Sequence, residues 1–274
     1  MTFFQLNNKT SAFLDTYKLY KDDFNQQIQL QHRLSLIEAF DIQKGMRVLE
    51  IGCGQGDTSA ALADAVGEDG HVVAMDIANP DYGAPLTLGQ ATDRIKNSQL
   101  GDRITFQFET DVTQMESFAP FDVAVLSHSS WYFKQPEDLL HTFKLLRPMT
   151  KRICFAEWDL DFTSINQRAH FCAATILAIY STFVSNEGNI QNLFDKKQIQ
   201  RLLVQADFHI EKQHIVDATY LQDAQWEKNY ANSIREEFVQ ALPRIQTIVN
   251  SYYELMNKDE TEQHSLNSFI IQAK

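Results

Sequence analysis

The residues best placed to do chemistry lie at positions 48–57, which read Val48-Leu49-Glu50-Ile51-Gly52-Cys53-Gly54-Gln55-Gly56-Asp57. Three glycines alternate with other residues after an apolar run. Without a Cβ, glycine lets the chain turn sharply and lets a ligand come close to the main chain. A helix starting just after the turn would aim its free N–H groups outward beside that ligand. A nicotinamide or flavin turn needs Gly-x-Gly-x-x-Gly, but the spacing here is Gly-x-Gly-x-Gly, and the residue three after Gly54 is Asp57. A carboxylate there would face a pyrophosphate and repel it. The turn therefore suits a ligand without phosphates.

This segment resembles motif I of the class I S-adenosylmethionine-dependent methyltransferases, in which an acid-x-Gly-x-Gly-x-Gly turn holds the methionine part of the cofactor. Glu50, Gly52, Gly54 and Gly56 match it position by position, with Cys53 inside the turn. The resemblance implies S-adenosylmethionine as cofactor and S-adenosylhomocysteine (SAH) as product. It also implies that Asp76, twenty residues after Gly56, accepts both ribose hydroxyls, with Ile77 beside it. One carboxylate can take two neighbouring O–H donors. By the same resemblance, Asp111 and the N–H of Val112 grip the adenine edge. Taken alone, Asp111 could equally cap a short helix at Thr113.

In open α/β sheets, ligands collect outside the carboxyl ends of the strands. One such end reads Ser127-His128-Ser129-Ser130-Trp131-Tyr132, and another stops at Glu157. Ser127 is expected on the cofactor side, and His128 and Glu157 are the candidate catalytic residues. An imidazole with a reference pKa of about 6.5 can take a proton from a hydroxyl acceptor near neutrality. A carboxylate or thiolate acceptor needs no base, and His128 would then only hydrogen-bond or pack. Trp131, Tyr132 and Tyr82 are the candidate substrate contacts, although Trp131 could serve the core and Tyr82 could simply pin its loop. The Asn/Asp-Pro-Pro-Tyr/Phe turn of amino-methylases acting on DNA bases or protein glutamine is missing. No compact set of oxygen ligands suggests a metal.

The elements that must position these residues can be read from periodicity. Apolar runs at 46–51, 71–76, 103–108, 121–127 and 151–157 predict strands, and helical signals between them predict a parallel sheet covered on both faces. Residues 77–89, with Pro80, Gly83, Pro85 and Gly89, read as an ordered loop that could fold over the site. Amphipathic helices are expected within 12–40, one long helix at 167–183, another at 195–204 capped by Asp195, and a helical hairpin at 221–256 interrupted at Pro243, which either begins the second helix or kinks one long one. Strand signals return at 208–216 and 267–272. The expected fold class is α/β: a Rossmann-like, seven-stranded, mostly parallel sheet with extra helices at the N-terminus and after the fifth strand. We expect one domain over 1–274, divided into N-terminal helices (1–45), a cofactor-binding half (46–160), and helical additions with the last two strands (161–274).

Composition narrows the partners. Across 274 residues, 24 Lys+Arg against 36 Asp+Glu give a net charge of −12, a field that repels nucleic acid and anionic membranes. The same field mildly favours a cationic ligand, though solubility alone would account for it. Cys53, Cys154 and Cys172 are scattered and odd in number, which suits reduced thiols in the cytoplasm. No leader or apolar run of about 18 residues is evident. The expected activity is in-line methyl transfer to a small-molecule acceptor, with the oligomeric state open. The alternatives are a non-catalytic S-adenosylmethionine-binding regulator and, more distantly, a cyclopropane-forming lipid enzyme, which the acidic charge disfavours.

Overall fold

The computed structural model describes residues 4–115, 120–186, 188–258 and 262–274. Its strands β1 (Arg47–Ile51), β2 (His71–Met75), β3 (Ile104–Gln107), β4 (Phe121–Ser127), β5 (Thr150–Trp158), β6 (Ile210–Val216) and β7 (Ser268–Ala273) form one sheet in the order β3-β2-β1-β4-β5-β7-β6. The pairings from β3 through to β5 are parallel, and β7 runs antiparallel to both β5 and β6. The sheet is thus Rossmann-like and mostly parallel, as its continuous apolar runs imply. Alternation divides those runs between two cores. Val48, Val72, Val123 and Val125 face one side, and Leu49, Val73, Ala124 and Leu126 face the other.

Helices α1 (Asn8–Tyr17) and α2 (Phe24–Ala39) precede the sheet, and α2 packs on α3 (Asp57–Val66). The buried residues Ala60, Ala61 and Ala63 let α3 lie close to the strands. Next come α4 (Leu88–Lys96), α5 (Pro136–Leu146), α6 (Arg168–Ser181), α7 (Lys196–Gln205), α8 (Asp223–Ser233) and α9 (Pro243–Asn257). Asp195 caps α7, and Pro243 occupies the first turn of α9, where its missing N–H costs nothing. Helix α6 packs against both α8 and α9, forming the helical addition beyond β5. The expected loop at 77–89 is shorter than its glycines suggest. Thr87 and Gln90 make a capping box, so Leu88 and Gly89 already belong to α4.

The chain builds outward from β1 to β3 and then returns to place β4 on the other side of β1. That reversal opens a crevice at the carboxyl ends of β1 and β4. The glycine turn and residues 127–132 flank it.

Candidate cofactor and acceptor site

At the β1 end, Gly52 and Gly54 both adopt positive φ, at +76° and +51°. A Cβ on Gly52 would sit 2.6 Å from Ser129 Cβ, so this glycine lets the β1 and β4 ends touch. A Cβ on Gly54 would meet nothing within 4 Å, so the turn presents bare backbone to open space there. Gly56 completes the turn and opens α3. The N–H groups of Gly52 and Cys53 both donate to Met75 O, tying the turn to β2.

Asp76 follows β2, and its carboxylate accepts from Gly54 N at 2.8 Å and from Ala78 N at 2.9 Å. Ile77 is 71% exposed beside it. Gln55 Nε2 donates to Leu86 O at 3.1 Å, stitching the following loop to the turn. Glu50 is buried within β1 and accepts a 2.5 Å hydrogen bond from Ser59 of α3. Burial pushes its carboxyl up to about 8, against the opposing effects of Ser59 and Arg33. Burial, with Glu50 and Asp76 nearby, raises the Cys53 thiol and keeps it neutral.

Asp111 Oδ1 caps a short 3₁₀ turn over Val112–Gln114 by accepting from Thr113 N at 2.7 Å. The capping role seen in the sequence is present, and Asp111 Oδ2 has no hydrogen bond among the described residues. Val112 is buried beside it, and the Ser127 hydroxyl is buried with no partner among those residues.

On the acceptor side, His128 and Glu157 stand together at the ends of β4 and β5. His128 takes φ +52°. Its Nε2 lies 3.0 Å from Ser268 Oγ, which is also 3.0 Å from His32 Nε2. Its Nδ1 lies 3.3 Å from Glu157 Oε1, off the line of a full hydrogen bond. Glu157 in turn accepts from Ser130 N, Ser130 Oγ and Trp158 N. Burial lowers the imidazole pKa, with Glu157 opposing, so His128 is neutral near pH 7. Both ring nitrogens therefore face protein groups.

Trp131 is 3% exposed, with its indole N–H unpartnered among the described residues. Tyr132 differs. It is 50% exposed, yet burial is what chiefly raises its phenol, with Tyr82, Asp76, Glu157 and Glu227 also acting on it. Tyr82 is 42% exposed within electrostatic reach of Tyr132.

The sequence did not point to Arg33, on α2. Its Nη1 is buried without a hydrogen bond among the described residues, and its charge acts on Glu50, Asp57 and His128. Helix α2 also buries Gln29, Gln31 and His32, and polar residues at helical spacing read as a solvent face until a structure covers them.

A family model described as a methyltransferase domain matches residues 24–213. The chain belongs to that methyltransferase family. Methyltransferase phomM′ of Diaporthe leptostromiformis is 26% identical over 221 residues, 63% of this chain and 57% of its own length. The chain thus spans little more than half the length of that curated relative. The crystal structure of a cyclopropane-fatty-acyl-phospholipid synthase-like protein from Lactobacillus casei ATCC 334 superposes with a TM-score of 0.87 at 33% identity, covering 97% of this chain and 98% of that one. Magnesium protoporphyrin IX methyltransferase from Synechocystis PCC 6803, solved with bound SAH, shares the fold at a TM-score of 0.50 and 14% identity, covering 98% of this chain and 95% of that one. Among the described residues, this methyltransferase chain has no group of three or more His, Cys, Asp or Glu able to hold a metal, and no helix long and apolar enough to cross a membrane.

Proposed function

We propose that the protein transfers a methyl group from S-adenosylmethionine to a small-molecule acceptor. The observation that carries this reading is the bare backbone at Gly54, open to space on one side and tied to the Asp76 carboxylate. The SAH bound in the Synechocystis neighbour supports the choice of ligand. Glu50, Gly52, Cys53, Gly54 and Gly56 would cradle the methionine part, and the unpartnered Arg33 Nη1 suits its carboxylate. Asp76, with Ile77 at the rim, would take the ribose hydroxyls, and the free Asp111 oxygen with Val112 the adenine edge. Ser127 closes the cofactor side.

When bound, this cofactor supplies a methyl group already activated on a sulfonium. The protein's task is then to hold the acceptor in line and to exclude water. Tyr132, Tyr82 and Trp131 would wall the acceptor space. His128 and Glu157 form its floor, and a proton could reach the imidazole only by displacing Ser268 or Glu157. Three free, buried cysteines support a cytoplasmic enzyme, the acidic charge disfavours nucleic acid and anionic membrane partners, and the one sheet from β1 to β7 supports a single domain. Calorimetric titration with S-adenosylmethionine, SAH and NAD tests the reading. The first two should bind and NAD should not, and failure of SAH to bind would end it.

A further inference from the structure

The inserted helix α8 carries Asp223 and Glu227, one turn apart and so on one face. Glu227 is 7% exposed. Its Oε2 lies 2.9 Å from His170 Nε2 of α6 without an aligned hydrogen bond, and no hydrogen bond reaches its Oε1 among the described residues. His170 Nδ1 accepts from Leu266 N at 2.8 Å, so the ring proton sits on Nε2 and faces the Glu227 carboxylate. The imidazole thus neighbours one carboxylate oxygen of Glu227 and leaves the other without a protein donor among the described residues.

Asp223 accepts from Gln29 Nε2 at 2.7 Å, and Gln29 Oε1 lies 3.5 Å from Arg33 Nη2, which joins α8 to the cofactor side. Along this seam the acceptor oxygens Gln26 Oε1 and Gln222 Oε1 are buried without hydrogen bonds among the described residues, while Arg33 Nη1, at its cofactor end, is the group assigned to the methionine carboxylate. Buried polar atoms in folded proteins normally find partners, so these two orphan oxygens offer acceptors to a donor that enters the seam. The charges fix its sign. Glu227 interacts with Asp223 and Glu157, and burial raises its carboxyl pKa. Among the described residues, no lysine or arginine lies within ion-pair distance of Asp223 or Glu227. An anionic acceptor would be repelled here, and a bare metal ion would lack ligands.

Resting on the methyl-transfer reading, we propose that the acceptor is an amine, seated as its ammonium ion between α2 and α8 on the Glu227 carboxylate. The ammonium gives one proton to Glu227. The freed nitrogen lone pair then forms the N–C bond as the C–S bond breaks with its electron pair left on sulfur, and the product leaves as the methylammonium while Glu227 returns its proton to water. Packed rings join Glu227 to the acceptor floor, since its neighbour His170 lies 5.0 Å from Trp158 and Trp158 lies 4.4 Å from His128.

The test loads the protein with SAH and titrates it with ethylamine, benzylamine, phenethylamine and putrescine, and with the alcohols and carboxylates of the same skeletons. At least one amine should bind and be methylated from labelled S-adenosylmethionine, with the carboxylates inert. Glu227→Gln, nearly isosteric, should weaken that amine by about tenfold or more while SAH affinity and melting temperature stay within error. The proposal is overturned if no amine binds the SAH complex, if alcohols or carboxylates bind as tightly, or if Glu227→Gln binds the amine unchanged. Failure of SAH to load defeats the cofactor reading instead, so the two failures are distinct.

Discussion

The main-chain N–H of Gly54 donates a 2.8 Å hydrogen bond to the carboxylate of Asp76, which makes the glycine turn and the proposed ribose acid one unit. Moving either moves the other. Asp76→Ala removes the acceptor for Gly54 and for the ribose. Losing a charged hydrogen bond worth about 1.5–3 kcal/mol should weaken SAH about ten- to a hundredfold. Asp76→Asn keeps one acceptor oxygen and should fall between. Calorimetry on the three proteins measures this, and unchanged affinity in Asp76→Ala would remove the ribose role.

Gly52 and Gly54 should fail in different ways when changed to alanine. The Gly52→Ala methyl would collide with Ser129 Cβ in addition to the positive φ, so a stability loss of about 2–4 kcal/mol is expected. Gly54→Ala meets no protein atom and should cost only about 1–2 kcal/mol from backbone strain, but its methyl occupies the proposed cradle. Its SAH affinity should drop by more than its melting temperature implies. Equal SAH binding by Gly54→Ala and wild type would place the ligand elsewhere.

The strands were legible because burial on both faces makes them continuous apolar runs, as residues 46–51 became β1 and 151–157 became most of β5. Asp195 was equally plain, since a cap acts locally, whereas Pro243 left open a kink or a helix start and turned out to begin α9. Helix α4 was not, because only Leu88, Thr92 and Ile95 are buried along it and its glycine reads as a loop. Glu50, the glycines and Asp76 form a local pattern that one strand and one turn bring together. Arg33, His170 and Glu227 depend on α2, α6 and α8 meeting around the end of the sheet, and nothing in their spacing announces that meeting.

Glu50 should couple cofactor binding to proton release. Its carboxyl is raised to about 8 from an ordinary value near 4.5. Between those values the folded chain keeps a proton that the unfolded chain has lost. The free protein is therefore favoured below that window and loses stability as pH rises through it, by at most about 5 kcal/mol. A cationic ligand favours the carboxylate, so S-adenosylmethionine binding at pH 7 should release protons. Titrations in buffers of different ionisation enthalpy measure this, and Glu50→Gln should abolish the release and reduce the pH slope, the raised Glu227 and Asp57 carboxyls keeping their own share. Release that persists in Glu50→Gln would assign it to another group.

His128 offers the last and most discriminating test, because both of its ring nitrogens already face Ser268 and Glu157. If the acceptor is an amine handing its proton to Glu227, the imidazole mainly fixes the floor beneath the methyl group. Glutamine can keep a contact with Ser268. His128→Gln should then retain turnover to within about tenfold, far less than the hundred- to ten-thousandfold typical of a lost general base. His128→Ala leaves a void beside Trp158, whose ring centre lies 4.4 Å away, and should lower stability by about 1–3 kcal/mol without changing SAH affinity. Turnover is measured with the amine identified above, across pH, alongside SAH binding. A thousandfold loss in His128→Gln with intact SAH affinity and no acid limb left in the pH profile would move the proton-accepting role from Glu227 to His128, through a displaced Ser268.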